Sequence, residues 1–225
     1  MVLLQDMGAR IHGGVKPVVL EVIACTVEDA VEAEAGGAGR LEVVRDLSGG
    51  GLTPPISLVR EILRSVKIPV RVMLREQAGF AVGEMHALLA AAREFAAMGL
   101  DGVVLGFVQA GALDFPSMRE VLAAAHELNA TLHHAFDALS DPGEAIPIIK
   151  RELPEVDRIL TRSGGKYVES ALPEITILAG GGLDAEAIRE LRATTALREF
   201  HVGRAAQDAD AKVSAAKVRA LLDGL

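Results

Sequence analysis

Tryptophan is absent from the 225-residue sequence, and tyrosine and cysteine occur once each. A single thiol excludes an intrachain disulfide and suits a reducing compartment. With aromatics at only 3%, the chain lacks the stacking platforms that hold single-stranded nucleic acid. It also lacks a basic surplus. The 23 Lys and Arg face 31 Asp and Glu, and a net charge of −8 has the wrong sign for a phosphate backbone. No apolar run approaches the roughly 20 residues of a membrane span. Residues 1–16 have neither the basic start nor the long apolar stretch of a signal peptide. They are expected to form a partly disordered leader on a cytoplasmic protein, with Met7 as an alternative start. Neither nucleic acid nor membrane is expected as a partner.

What is present is alternation. Eight short runs rich in Val, Ile and Leu read as strands: Val18–Ala24, Arg40–Arg45, Val70–Arg75, Gly102–Phe107, Thr131–Phe136, Arg158–Thr161, Ile175–Ala179 and Glu199–Val202. Several are almost continuously apolar, the pattern of parallel strands covered on both faces. Seven amphipathic segments between and after them read as helices: Val27–Ala35, Ser57–Ser65, Val82–Met98, Ser117–Leu128, Gly143–Arg151, Asp184–Ala193 and Ala211–Leu222. Thr26 and Asp184 are N-cap candidates, and Gly36-Gly37 and Gly99 are stop signals. Residues 164–174, between the sixth and seventh strands, leave room for a turn or two. This order predicts one α/β domain over residues 17–225, a closed TIM (β/α)8 barrel with a short or missing helix between strands six and seven. A doubly wound open sheet is the alternative. That fold usually places a glycine-rich loop after its first strand, where this chain has Ala24-Cys25-Thr26.

Sites in such barrels lie at the C-terminal ends of the strands, so polar residues late in strands are the candidates. Glu21 and Glu42 interrupt the first two strands, and each reads equally as a site carboxylate or as part of a buried ion-pair network. Arg71, early in the third strand, reads as an ion-pair residue. Arg75, at its end, reads as a clamp for an anion. In the fifth strand His133 falls on the interior face with Asp137, while His134 is expected to face the helices. His201 lies in the last strand. The run Gly180-Gly181-Gly182 joins a strand to a capped helix, and Gly203 follows the last strand. Together they predict an anion site made by the loops after strands seven and eight. A metal site has less local support. His133 and Asp137 on a regular strand would stand roughly 13 Å apart. Glu21, Glu42, His133 and His201 could converge from separate strands, but no short spacing enforces it. Cys25 is the one soft ligand candidate for a metal, with a small buried residue as its other reading.

These residues form an ordered pattern. Leu20-Glu21-Val22, Thr26 to Ala30, Gly36-Gly37-Ala38, Arg40-Leu41-Glu42 and Gly50 to Pro54 open it. Met73-Leu74-Arg75, Asp101 to Gly106, His133 with Ala135-Phe136-Asp137, Arg158 to Thr161, Ala179 to Gly182 and Arg198 to His201 continue it. The set resembles the copper homeostasis protein CutC family over most of the chain. The resemblance implies a TIM barrel, a cytoplasmic and commonly homo-oligomeric protein, and a role in copper homeostasis through copper binding or trafficking. It also implies, for some members, Cu(I) bound by cysteines in the first two strands, and those positions read Ile23 and Val44 here. Two further functions stay open. The barrel mouth is expected to suit an enzyme acting on a small anionic or phosphorylated metabolite. Arg75 and the glycine loops would hold the anion, His133 or Glu42 would serve as general acid or base, and Asp137 would sit at the rim. The third option is an interaction module without chemistry.

Overall fold

The computed structural model describes residues 17–47 and 49–223. The leader expected at residues 1–16 lies outside that range. The eight parallel strands close into a barrel: β1 (Val19–Ala24), β2 (Arg40–Val43), β3 (Val70–Met73), β4 (Gly102–Leu105), β7 (Asn129–Leu132), β8 (Val156–Thr161), β9 (Thr176–Ala179) and β10 (Glu199–Val202). β10 returns to pair with β1, aligning Glu21 with His201. A small antiparallel hairpin, β5 (Val108–Gln109) with β6 (Ala112–Leu113), follows β4 and was not anticipated from the sequence. Its two-residue turn has positive φ at both Ala110 and Gly111, the geometry that twists like the strands it joins.

The helices ring the barrel: α1 (Val27–Gly36), α2 (Ile56–Ser65), α3 (Met85–Ala96), α4 (Phe115–Ala124), α5 (Pro142–Glu152), α6 (Gly164–Tyr167), α7 (Ala185–Thr194) and α8 (Ala215–Leu222). Local chemistry sets their starts. Thr26 and Asp29 form a reciprocal capping box on α1, and Gly37 ends that helix in the left-handed region. Asp114, Asp141 and Asp184 cap α4, α5 and α7 through their carboxylates. α6 is a single turn, as expected of the short segment between the sixth and seventh barrel strands. α3 and α8 begin three and four residues later than the sequence pattern suggests. Before α8 the chain makes a tight turn, with Asp208 N–H donating to Lys212 O. No helix among the described residues is long and apolar enough to cross a membrane.

The barrel interior is unusually charged. Arg71 is fully buried and bonds Asp101, Asp157 and Thr131. Arg158 joins Asp157 to Glu199, and Arg40 joins Glu199 to Glu21. Glu21 in turn accepts from His201. The chain of ion pairs therefore runs from the floor of the barrel to its mouth. Buried charges persist only when paired in this way, and each arginine here has two acidic partners. Gly102 leaves space for it. A Cβ at that position would lie 2.5 Å from the Asn129 carbonyl oxygen and 3.3 Å from the Arg71 guanidinium carbon. Gly102→Ala is expected to destabilise the protein by about 1–3 kcal/mol, read as a lower urea midpoint at unchanged slope.

Candidate functional site

Above the ion-pair chain the C-terminal ends of the strands surround a cavity of about 640 Å³. Of the residues singled out in the sequence, Glu42, Arg75, His133, His201, Gly181, Gly182 and Gly203 line it. Glu21 does not line it. It sits fully buried beneath the floor, bonded to Arg40 and to His201 Nδ1 at 2.8 Å. Burial alone would raise its pKa, but Arg40 and His201 outweigh that and hold the carboxyl well below the usual range. Glu42 is also buried and stands 3.4 Å from His201 Nδ1, with no arginine bound to it. Burial pushes its pKa up to about 7, against the pull of His201. The His201 pKa also rises: burial lowers it, yet Glu42 and Glu21 together raise it above the ordinary value. Both groups therefore hold their protons to higher pH than they would in water.

Arg75 is placed by main-chain groups. Its Nη1 donates to Gly50 O at 2.7 Å and its Nε to Gln77 O at 3.1 Å. The guanidinium lies 5.7 Å from the centroid of the Phe80 ring. Bonds to carbonyls orient the group without neutralising it, so its charge faces the cavity uncancelled by a bonded carboxylate. The loop after β3 supplies Phe80, whose carbonyl accepts from Val108 in the hairpin. The phenyl ring packs 5.5 Å from His133.

The strand expected over Thr131–Phe136 ends at Leu132, and residues 134–138 curl into a 3-10 turn. This corrects the reading of His134. Alternation would send it to the helix layer, but the turn swings it into the wall of the cavity. Its Nδ1 pairs with Asp137 at 2.8 Å. Asp137 stands behind it rather than on the cavity wall, also bonded to Thr161 Oγ1 and to the Arg162 N–H. Burial would raise the Asp137 pKa, but the bonds from His134 and Thr161 keep it low. His133 takes a different place. Its Nδ1 accepts from Ala135 N–H at 3.1 Å, and burial, helped by Arg75, pushes its pKa down to about 3. A neutral imidazole with that pKa cannot serve as a general acid near neutral pH.

The glycine run divides. The Gly180 N–H is used within the sheet, donating to Thr161 O, so it is not part of an anion cradle. Gly181 and Gly182 have φ of +93° and +89° and line the cavity. A Cβ on Gly181 would strike the Arg162 side chain at 2.4 Å. Asp184 accepts the Ala187 N–H at the start of α7, and the positive groups lining the cavity on this side are Arg162 and Arg204. Sequence reasoning missed Phe80 and Arg162, on loops, and Arg204, in a 3-10 turn after β10, where no strand periodicity applies.

Glu21, Glu42 and His201 bring one donor atom each within 4.8 Å of one another, so three of the four residues that could converge do so, without His133. They are oxygen and nitrogen donors, and Arg40 with His201 already balances the two carboxylates. Cys25 opens onto a separate depression with Thr26, Asp29, Asp46, Arg204 and Lys212. Burial, with acidic neighbours, raises its pKa and keeps the thiol protonated.

Comparison with known proteins matches residues 18–206 to the model of the CutC family. A CutC family protein of Xylella fastidiosa strain Temecula1 is 35% identical over 203 residues, covering 81% of this chain and 73% of that protein. The human copper homeostasis protein cutC homolog is 30% identical over 204 residues, covering 84% of this chain and 74% of its own. The solved structure of CutC from Streptococcus agalactiae superposes with a TM-score of 0.75 at 24% identity, covering 83% of this chain and 98% of that one.

Proposed function

Because the chain belongs to the CutC family, we propose that its barrel mouth binds a small organic anion and transfers a proton on it. The observation that carries this reading is the pairing, in one cavity, of Arg75 with Glu42. Arg75 is held by carbonyls and keeps its charge, and Glu42 changes protonation near pH 7. A free cation selects an anionic ligand, and a carboxyl poised near neutrality is the usual instrument of proton transfer. Arg162, Arg204, Gly181 and Gly182 supply a second polar wall for a phosphate or a second carboxylate.

Copper handling, the role in the human relative's name, would need soft donors for Cu(I). The residues present do not fit that ion. Cys25 is a single protonated thiol on its own depression, while Met73 lines the mouth cavity. The donors that do converge are hard and already charge-balanced.

The test is a thermal-shift screen of the purified, reduced protein against phosphorylated sugars and small hydroxy and keto acids, with Arg75→Ala alongside. At a ligand concentration 100-fold above Kd, stabilisation of about 2.7 kcal/mol is expected in the native protein and is expected to vanish in the variant. Competition with a coloured cuprous chelator, abolished by Cys25→Ala and accompanied by no shift from any organic anion, would overturn this reading in favour of copper.

A further inference from the structure

One buried polar atom in the mouth is left over by the fold. Among the described residues, His133 Nε2 is the single buried side-chain nitrogen or oxygen without a hydrogen-bond partner. The residue is only 3% exposed, so water does not substitute freely. An orphaned donor of this kind costs free energy unless something else meets it. Its direction is fixed. Nδ1 accepts the Ala135 N–H, so in the neutral ring the proton resides on Nε2. The ring is wedged between Phe80 and Gly106, where a Cβ would lie 2.7 Å from Nδ1 and 2.8 Å from Cε1. The ring packs against both, and it lines the same cavity as Arg75 and Glu42.

A neutral imidazole N–H is a poor acid and a good hydrogen-bond donor. It stabilises negative charge that develops on an oxygen without giving its proton away. A carboxylate on another wall of the same cavity can take a proton from carbon. From this geometry we infer that the substrate is a small carbonyl compound carrying a carboxylate or phosphate, and that the reaction is proton abstraction at the carbon next to the carbonyl. His133 Nε2–H binds the carbonyl oxygen, Arg75 binds the anionic group, and Glu42 accepts the proton. The C–H bond breaks, and its electron pair forms the C=C bond of an enolate. The carbonyl π pair moves onto the oxygen that faces His133. Return of the proton from Glu42 to the same carbon gives exchange or epimerisation. Where the carbon that lost its proton carries a hydroxyl, passage of that hydroxyl's proton to the former carbonyl oxygen and return of the proton from Glu42 to the former carbonyl carbon gives isomerisation. No oxidant or reductant is consumed. The low His133 pKa fits the donor role, since the ring stays neutral across the working range. This inference rests on the anion-binding reading above and names its substrate class.

The experiment incubates the protein in D2O at pH 7 with pyruvate, glycolaldehyde phosphate or dihydroxyacetone phosphate and follows the α-proton signals by NMR. Deuterium incorporation above the protein-free rate is expected for at least one probe. It is expected to fall about 100-fold or more in Glu42→Gln and about 100- to 1,000-fold in His133→Ala. His133→Asn, which retains an N–H donor, is expected to recover part of the loss. A probe that stabilises the protein through Arg75 yet shows no exchange would overturn this inference and leave anion binding standing. Failure of all three probes both to exchange and to stabilise counts against both. A second measurement needs no substrate. The 15N shifts of the His133 ring should report the neutral Nε2–H form from pH 5 to pH 8, and a ring that titrates near 6.5 would overturn the donor assignment.

Discussion

Arg40→Met is expected to destabilise the protein by about 3–5 kcal/mol at pH 7, because it takes an arginine from two buried carboxylates at once. Arg40 bridges Glu21 on β1 to Glu199 on β10. Methionine fills a similar volume but leaves Glu21 with His201 alone and Glu199 with Arg158 alone, in a low-dielectric interior. For a chain of this size the melting temperature should fall by roughly 6–20 °C. The loss depends on pH with a definite sign. Arg40 and His201 depress the folded pKa of Glu21, and Arg158 and Arg40 depress that of Glu199. Groups with depressed pKa values contribute stability that is present above their unfolded values and fades as pH falls through the folded ones. The gap between native and variant protein should thus be full at pH 7 and narrower at pH 4. Urea unfolding at both pH values measures it. A gap below about 1 kcal/mol at pH 7 would mean that the ion pairs are not energetically coupled to the fold.

Glu42→Gln should act in the opposite direction and raise stability at pH 8 by about 2–3 kcal/mol. Burial raises the folded pKa of Glu42 to about 7 from an ordinary 4.5. A raised folded pKa means that the native state prefers the protonated carboxyl. The native protein is then unpenalised below about pH 4.5, progressively destabilised as pH rises to about 7, and fully penalised above it. Glutamine mimics the protonated form at every pH. The variant's advantage is expected to be largest at pH 8 and to close by pH 4.5, as read by urea midpoints across that range. A variant less stable than the native protein at pH 8 would show that the carboxylate is structurally favourable next to His201. Arg40 and Glu42, two residues apart on β2, thus make opposite contributions. One closes a charge balance, and the other is left beside a proton.

How much of this was legible beforehand differs by element. The eight barrel strands and the seven longer helices follow from residue pattern alone, since apolar runs, Asp and Thr caps and glycine stops act over a few neighbouring residues. The single-turn α6 was legible as a segment too short for more. The pairing of Arg71 with acids could be expected too, because an arginine early in a barrel strand has no water to face. The CutC resemblance, carried by separated short motifs, agrees with the family match over residues 18–206.

Site composition was less legible. Alternation assigns a face only while the chain stays extended. At Leu132 it leaves the sheet, and the 3-10 turn then reversed the expected side for His134 and put Asp137 behind it. Phe80 and Arg162 reach the cavity from loops and Arg204 from a 3-10 turn, segments whose paths depend on what they pack against. Partner choice was also invisible. Whether Glu21 or Glu42 takes Arg40 depends on strand register across the closed barrel, and that choice separates a carboxyl held ionised from one titrating near 7. The sequence by itself determined the fold, because secondary structure and burial are set by local pattern summed along the chain. Only the tertiary structure decided which polar groups are matched and which, like His133 Nε2, are left without a partner, because matching is a property of groups far apart in sequence.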